Sequence, residues 1–169
     1  MAMAASRVSP PRLAGLGAAM AVTAIIADQL VKNWLLLGPM QQPQIFEITS
    51  FFNVVSAWNK GVSFSLLWMP SEAGPWILSA VAVAISLGLA VWLTRVSQRL
   101  TALGIGLVIG GALGNVIDRI RFGAVFDFLD FYIGAWHWPA FNVADSCITV
   151  GVVLLLWDGL FHGQERGKS

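Results

Sequence analysis

The sequence predicts an all-α membrane protein in which four helices cross the bilayer and short strands rest at its surface. Three observations lead there. Charged residues make up 11% of the 169 positions, against about 25% in an ordinary soluble domain. Hydrophobic residues reach 57%, with a mean hydropathy of +0.73, so much of the exterior is apolar as well as the interior. Four separate apolar stretches each approach the roughly 20 helical residues that span about 30 Å of hydrocarbon.

The first stretch runs from about Leu13 to Leu37. Its beginning resembles a secretory leader, because Arg7 and Arg12 precede an apolar core from Leu13 to Ala27. The apolar character resumes after Asp28 and Lys32 with Trp34 to Leu37, and no small-residue cleavage site follows, so a retained span is expected. The second stretch covers about 75–94, the third about 100–117 and the fourth about 143–161. The whole chain, 1–169, then forms a single integral membrane domain. Arg7, Arg12, Arg95, Arg99, Arg166 and Lys168 fall on one side; Lys32, Lys60, Arg119 and Arg121 fall toward the other. The short 95–99 link makes the positive-inside rule applicable, which predicts cytoplasmic termini and places the longer connections, about 38–74 and 118–142, on the far face. Asp158 and Glu165 are the inner acids; the other seven lie outside.

Within the first long connection, residues 44–59 are rich in β-branched and aromatic types with partial alternation, which predicts short strands at the surface. Trp58, Trp68, Trp76, Trp136 and Trp138 gather at the same boundary, where an aromatic belt accounts for them. In the third stretch Gly106, Gly110 and Gly114 recur at a spacing of four, which lets a neighbouring helix approach. Packing within the bundle is the plain reading, dimerisation the weaker one, and a monomer is expected. A net charge of +1 with scattered Lys and Arg gives no basic patch and excludes general nucleic-acid binding. Cys147 is the single cysteine; no internal disulfide is possible, no Cys/His spacing suggests a metal, and its plain role is packing.

The informative residues are the polar ones that hydrocarbon penalises. Asp28 and Lys32 stand one helical turn apart, acid before base, as an ion pair within the first span. Asn59-Lys-Gly-Val-Ser-Phe64 reads as a turn. Asn115, Asp118 and Arg119 end the third stretch within one helical turn, where the guanidinium can hold a carboxylate through two parallel bonds. Asp127 is flanked by Phe126 and Phe128, an apolar setting for an acid. Asp145 opens the fourth span, where the helix dipole favours a carboxylate, with Asn142 on the same face. Asp130 and Asp158 read as interface charges without a role, and His137, between Trp136 and Trp138, as an interface residue. Two carboxyls meeting at a dry site share one proton; the ionised member takes a proton from water while the other polarises a carbonyl. That is peptidase chemistry without a metal or a nucleophilic side chain. Spacing alone does not bring Asp127 to Asp145, and from these residues alone an ion- or proton-handling protein, or a scaffold whose acids only pair with Lys32 and Arg119, stays open.

Five blocks in order decide the matter: Asp28-Gln-Leu-Val-Lys32, Asn59-Lys-Gly-Val-Ser-Phe64, Asn115-Val-Ile-Asp118-Arg119, Val125-Phe-Asp127-Phe and Phe141-Asn142-Val-Ala-Asp145. As a set they resemble the bacterial lipoprotein signal peptidases (signal peptidase II). Val31 and Ser63 depart from the family's small polar residue and alanine, respectively, away from the acids. The resemblance implies an aspartic endopeptidase of the bacterial inner membrane that removes the signal peptide of prolipoproteins before a diacylglyceryl-modified cysteine. It implies Asp127 and Asp145 as the catalytic pair near the periplasmic face. Asp28, Lys32, Asn59, Asn115, Asp118, Arg119 and Asn142 would bind substrate or support the site. It also implies a small periplasmic β-cradle, a short periplasmic surface helix after it, sensitivity to globomycin-type cyclic peptides, and no cofactor or metal.

Overall fold

In the computed structural model, which describes residues 10–61 and 73–162, the four apolar stretches are four long helices. They are α1 (Pro10–Leu37), α2 (Gly74–Leu93), α3 (Arg99–Phe122) and α4 (Val143–His162). The chain is a multi-pass membrane protein. Side chains such as Leu30, Trp34, Ile85 and Leu156 are exposed, as surfaces facing lipid require. Arg7, Ser63, Phe64, Trp68, Glu165, Arg166, Lys168 and the segment expected to form a surface helix lie outside the described residues.

Both long connections contribute to one antiparallel sheet in the order β1-β2-β3-β4. Strands β1 (Ile45–Thr49) and β2 (Phe52–Asn59) follow α1; β3 (Val125–Ile133) and β4 (Trp136–His137) follow α3. The first hairpin is where strands were expected. The second corrects the reading of 118–142: α3 continues to Phe122, past the expected end at 117, and a nine-residue strand follows.

Helix α3 is the centre of the bundle, and its glycines explain how. Gly106 packs on the backbone of Gly17; Gly110, on which a Cβ would lie 2.5 Å from the Ala21 carbonyl, packs one turn further along α1. Gly114 continues the row against Asp28. This is the intramolecular packing expected from their spacing. A second row escaped the sequence reading: Gly104 and Gly111 face α4, at Gly151 and Ala144. Two small-residue faces let α3 sit closely between two neighbours.

Gly123 ends α3 in the left-handed region, with φ of 70° and its N–H donating to the Arg119 carbonyl. This is the conformation glycine adopts without steric penalty, and it turns the chain straight into β3. The pairing of β2 with β3 then carries one irregularity. Phe52, Asn53 and Val54 face Phe131, Asp130 and Leu129, but Ala57, Trp58 and Asn59 face Asp127, Phe126 and Val125. Three steps along β2 match two along β3, so β2 holds one extra residue, a bulge that moves the rest of the strand to the opposite face. Because of it Asn53 shares a face with Asp130 while Asn59 shares the other face with Asp127.

Candidate active site

Lys32 lies inside the bundle, 1% exposed, beneath the sheet. Its ammonium is 2.8 Å from Asp28 Oδ2 and 2.8 Å from Asp118 Oδ2, and it donates to Asn115 Oδ1 at 3.2 Å. The remaining carboxylate capacity is also used. Ala144 N–H donates to Asp28 Oδ1 at 2.9 Å, and Phe126 N–H donates to Asp118 Oδ2 at 3.1 Å. One cationic side chain of α1 thus ties together α3, the start of β3 and the first turn of α4. Buried charges persist only when paired and hydrogen-bonded in this way.

The first turn of α4 is a reciprocal cap. Asn142 Oδ1 accepts the Asp145 N–H at 2.9 Å, and Asp145 Oδ2 accepts the Asn142 N–H at 3.2 Å. These are the two bonds of a capping box, with an aspartate in the third helical position. The amide of Asn142 then faces the other way and donates to Asp127 Oδ1 at 2.7 Å and to Asn115 Oδ1 at 3.1 Å. Asn115, whose Oδ1 accepts from both Lys32 and Asn142, has its amide nitrogen on Asp145 Oδ1 at 2.8 Å. Asn59 Nδ2 completes the set, donating to Asp127 Oδ2 at 3.1 Å. Every oxygen of Asp127 and Asp145 therefore accepts at least one bond, and Asn142 bridges the two acids.

Asp127 is 2% exposed. Burial, then the negative charge of Asp145, push its carboxyl up to about 7, although the amides of Asn59 and Asn142 favour the ionised form. Both acids open on a cavity of about 310 Å³ walled by Val81 and Ile85 of α2, Val108 and Ala112 of α3, and Ile148 of α4. Arg119 lines the same cavity, and its buried Nε has no hydrogen-bond partner among the described residues. The arrangement pairs a protonatable acid with a second carboxyl at the end of an apolar groove that lies between α2 and α4.

A family model described as Signal peptidase (SPase) II matches residues 20–161. The chain belongs to the signal peptidase II family. It is 46% identical over 149 residues to a lipoprotein signal peptidase of Methylorubrum extorquens (strain PA1), covering 86% of this chain and 85% of that one. Similarity to the lipoprotein signal peptidase of Shewanella oneidensis (strain ATCC 700550 / JCM 31522 / CIP 106686 / LMG 19005 / NCIMB 14063 / MR-1) is 45% over 154 residues, with 88% of each covered. A solved structure described as a bacterial membrane enzyme matches with a TM-score of 0.77 at 29% identity, over 92% of this chain and 93% of its own. The family is one of aspartic endopeptidases, and the fold, four spanning helices with a small antiparallel sheet, agrees with that neighbour.

All nine residues expected to matter on the signal peptidase II resemblance converge on this region. Asp118 bonds Lys32, and Arg119, whose guanidinium could hold a carboxylate, makes no ion pair with one among the described residues. Successive helical residues diverge by about 100°, so Asp118 turns to α1 while Arg119 turns to the cavity. Asp130, expected as an interface charge, is only 6% exposed, with Asn53 Nδ2 at 3.1 Å and His137 Nδ1 at 2.9 Å. Asp158 is engaged by the Thr101 hydroxyl. Gln29, which lies within the first block, also takes part. Its Nε2 donates to Asp118 Oδ1 at 2.9 Å and lies 3.2 Å from Asp28 Oδ2; a second polar residue beside an intramembrane acid was the available signal.

Proposed function

We propose that this chain is a membrane aspartic endopeptidase that cleaves the signal peptide of prolipoproteins immediately before the diacylglyceryl-modified cysteine, with Asp127 and Asp145 activating water. The observation that carries this reading is the junction of the two acids through Asn142 at the end of an apolar cavity. Asp127, the more buried acid, holds the shared proton and donates it toward the scissile carbonyl oxygen. Asp145 takes a proton from water as the water oxygen adds to the carbonyl carbon. Collapse of the resulting gem-diol breaks the C–N bond: one hydroxyl proton returns to Asp127 as the carbonyl re-forms, and the proton held by Asp145 passes to the leaving amine, which restores the singly protonated pair.

The other residues act by holding this pair. Asn59 and Asn142 fix Asp127, and Asn115 fixes Asp145. Asp28, Lys32 and Asp118 lock the helices that carry them. Arg119, with unused donors in the cavity, holds substrate main-chain oxygen. Substrate helix and acyl chains enter sideways from lipid along the walls of α2 and α4, so no water-filled cleft is required. The chain works as a single domain and a monomer in the bacterial inner membrane. Its termini are cytoplasmic, as the Arg95–Arg99 link supports, and the acids lie near the periplasmic face, where globomycin-type cyclic peptides compete with substrate.

The test is cleavage of a diacylglyceryl-modified prolipoprotein by purified wild type, Asp127→Asn and Asp145→Asn. Each variant is expected to fold and to lose at least about 10²–10⁴-fold in turnover. Near wild-type cleavage by either refutes the dyad.

A further inference from the structure

On the lipid-facing edge between α1 and α3, Arg121 is held by two neutral side chains. Its Nη1 donates to Gln29 Oε1 at 3.0 Å and its Nη2 to Asn33 Oδ1 at 2.9 Å. The guanidinium also lies 4.6 Å from the centre of the Phe122 ring. The group is therefore fixed in orientation, yet its charge is matched by no carboxylate within ion-pair distance among the described residues. Its remaining donors likewise have no acceptor among those residues. An exposed cation that had bulk water around it would need no partner. Here the flanking Leu30, Trp34 and Ile120 are 64%, 68% and 61% exposed, so the surface around the guanidinium is apolar and faces lipid.

Depth selects the counter-ion. Arg121 is one residue from the end of α3 at Phe122, and Asn33 is four residues from the end of α1 at Leu37. At about 1.5 Å rise per residue, both stand within roughly one turn of the sheet-bearing ends, at the level of lipid headgroups. The anion available at that depth is a phosphodiester, and a planar, pre-oriented guanidinium is the side chain that binds one through paired donors. We propose that Arg121, clamped by Gln29 and Asn33, forms a binding site for the phosphate of a phospholipid headgroup in the leaflet on the sheet side. Because Gln29 also donates to Asp118, the bound lipid abuts the ion cluster under the site.

The test uses the full chain in detergent micelles, with bound lipid counted by native mass spectrometry. The probes are dioleoylphosphatidylglycerol, dioleoylglycerol with the same chains and no phosphate, and inorganic phosphate. Wild type is expected to retain the phospholipid in preference to the diacylglycerol. Arg121→Gln is expected to weaken retention about ten- to a hundred-fold, the effect of removing charged hydrogen bonds. Asn33→Ala, which keeps the charge and frees one donor, should fall between. Equal retention by wild type and Arg121→Gln, or equal binding of the diacylglycerol, overturns the proposal. Displacement of the lipid by millimolar inorganic phosphate overturns the lipid assignment and leaves a free-phosphate site.

Discussion

Replacing Lys32 by methionine removes one charge from the middle of the bundle while nearly keeping its volume. In the native protein Asp28, Lys32 and Asp118 are each no more than 1% exposed, and the ammonium is 2.8 Å from both acids. With both acids ionised the trio carries a net charge of −1; Lys32→Met leaves −2 with no counter-ion. Breaking a buried pair by removing one partner costs about 3–5 kcal/mol, and Asn115 Oδ1 loses one of its two donors as well. A second change, Asp118→Asn, returns the net charge to −1 and retains an acceptor for the Phe126 N–H. The double variant is therefore expected to regain roughly half of the loss, a non-additivity that marks residues in direct contact. The assay is reversible unfolding in mixed micelles, followed by circular dichroism as a denaturing detergent is raised. If Lys32→Met stays within about 1 kcal/mol of wild type, or the second change recovers nothing, the trio is not held together by charge and the reasoning fails.

Further outcomes follow from the geometry. Since the Asp127 carboxyl is pushed up to about 7 by burial and by Asp145, and the proposed mechanism uses its protonated form, turnover should fall as pH rises through about 7; the limb belongs to the coupled pair. Between the ordinary carboxylate range and that value the native state holds a proton the unfolded chain has released, so thermal stability should also decline with rising pH there. Asn59→Ala removes a donor that favours the ionised form, so the descending limb of the pH–turnover profile should move to higher pH; a shift to lower pH or none refutes the role given to Asn59. Gly114→Ala would set a methyl 2.9 Å from Asp28 Oδ2 and should cost about 1–3 kcal/mol, whereas Gly88→Ala, with nothing within 4 Å, should be neutral or gain up to about 1 kcal/mol as a helix-propensity change; melting temperatures of the two variants separate them.

Hydrophobic run length revealed the spans closely, because lipid imposes one rule on every exposed position. The first expected span ends at Leu37, as α1 does, and the expected 75–94 differs from Gly74–Leu93 by one residue at each end. The expected end at 117 falls short of the end of α3 at Phe122 because Asn115, Asp118 and Arg119 are polar and, in the sequence, polarity marks a membrane boundary. Lys32 and Gln29 satisfy Asn115 and Asp118 from a neighbouring helix, and Arg119 turns into the cavity, facts local pattern does not contain. The capping box was half legible, since Asn142 and Asp145 stand three apart, but its second use in bridging Asp127 was not. Least legible was the bulge in β2. Without the extra residue Asp127 would face Ser56, and Asn59 would turn to the opposite side of the sheet from it. A register shift of one leaves no mark on composition or alternation over so short a strand.

The cap that starts α4 also sets a timetable. Asp127 follows the third spanning helix, but Asn142 and Asp145 belong to the start of the fourth, and the Ala144 N–H is bound by Asp28 of the first. A nascent chain that has threaded three helices has half of the acid pair and an unoccupied acceptor on Asp28. Synthesis runs from the amino end, so the last helix to emerge supplies both the missing carboxyl and the bonds that align the other one. If the acid pair is the hydrolytic centre proposed above, that centre and the bundle are completed in a single event, and a partly inserted chain lacks half of it.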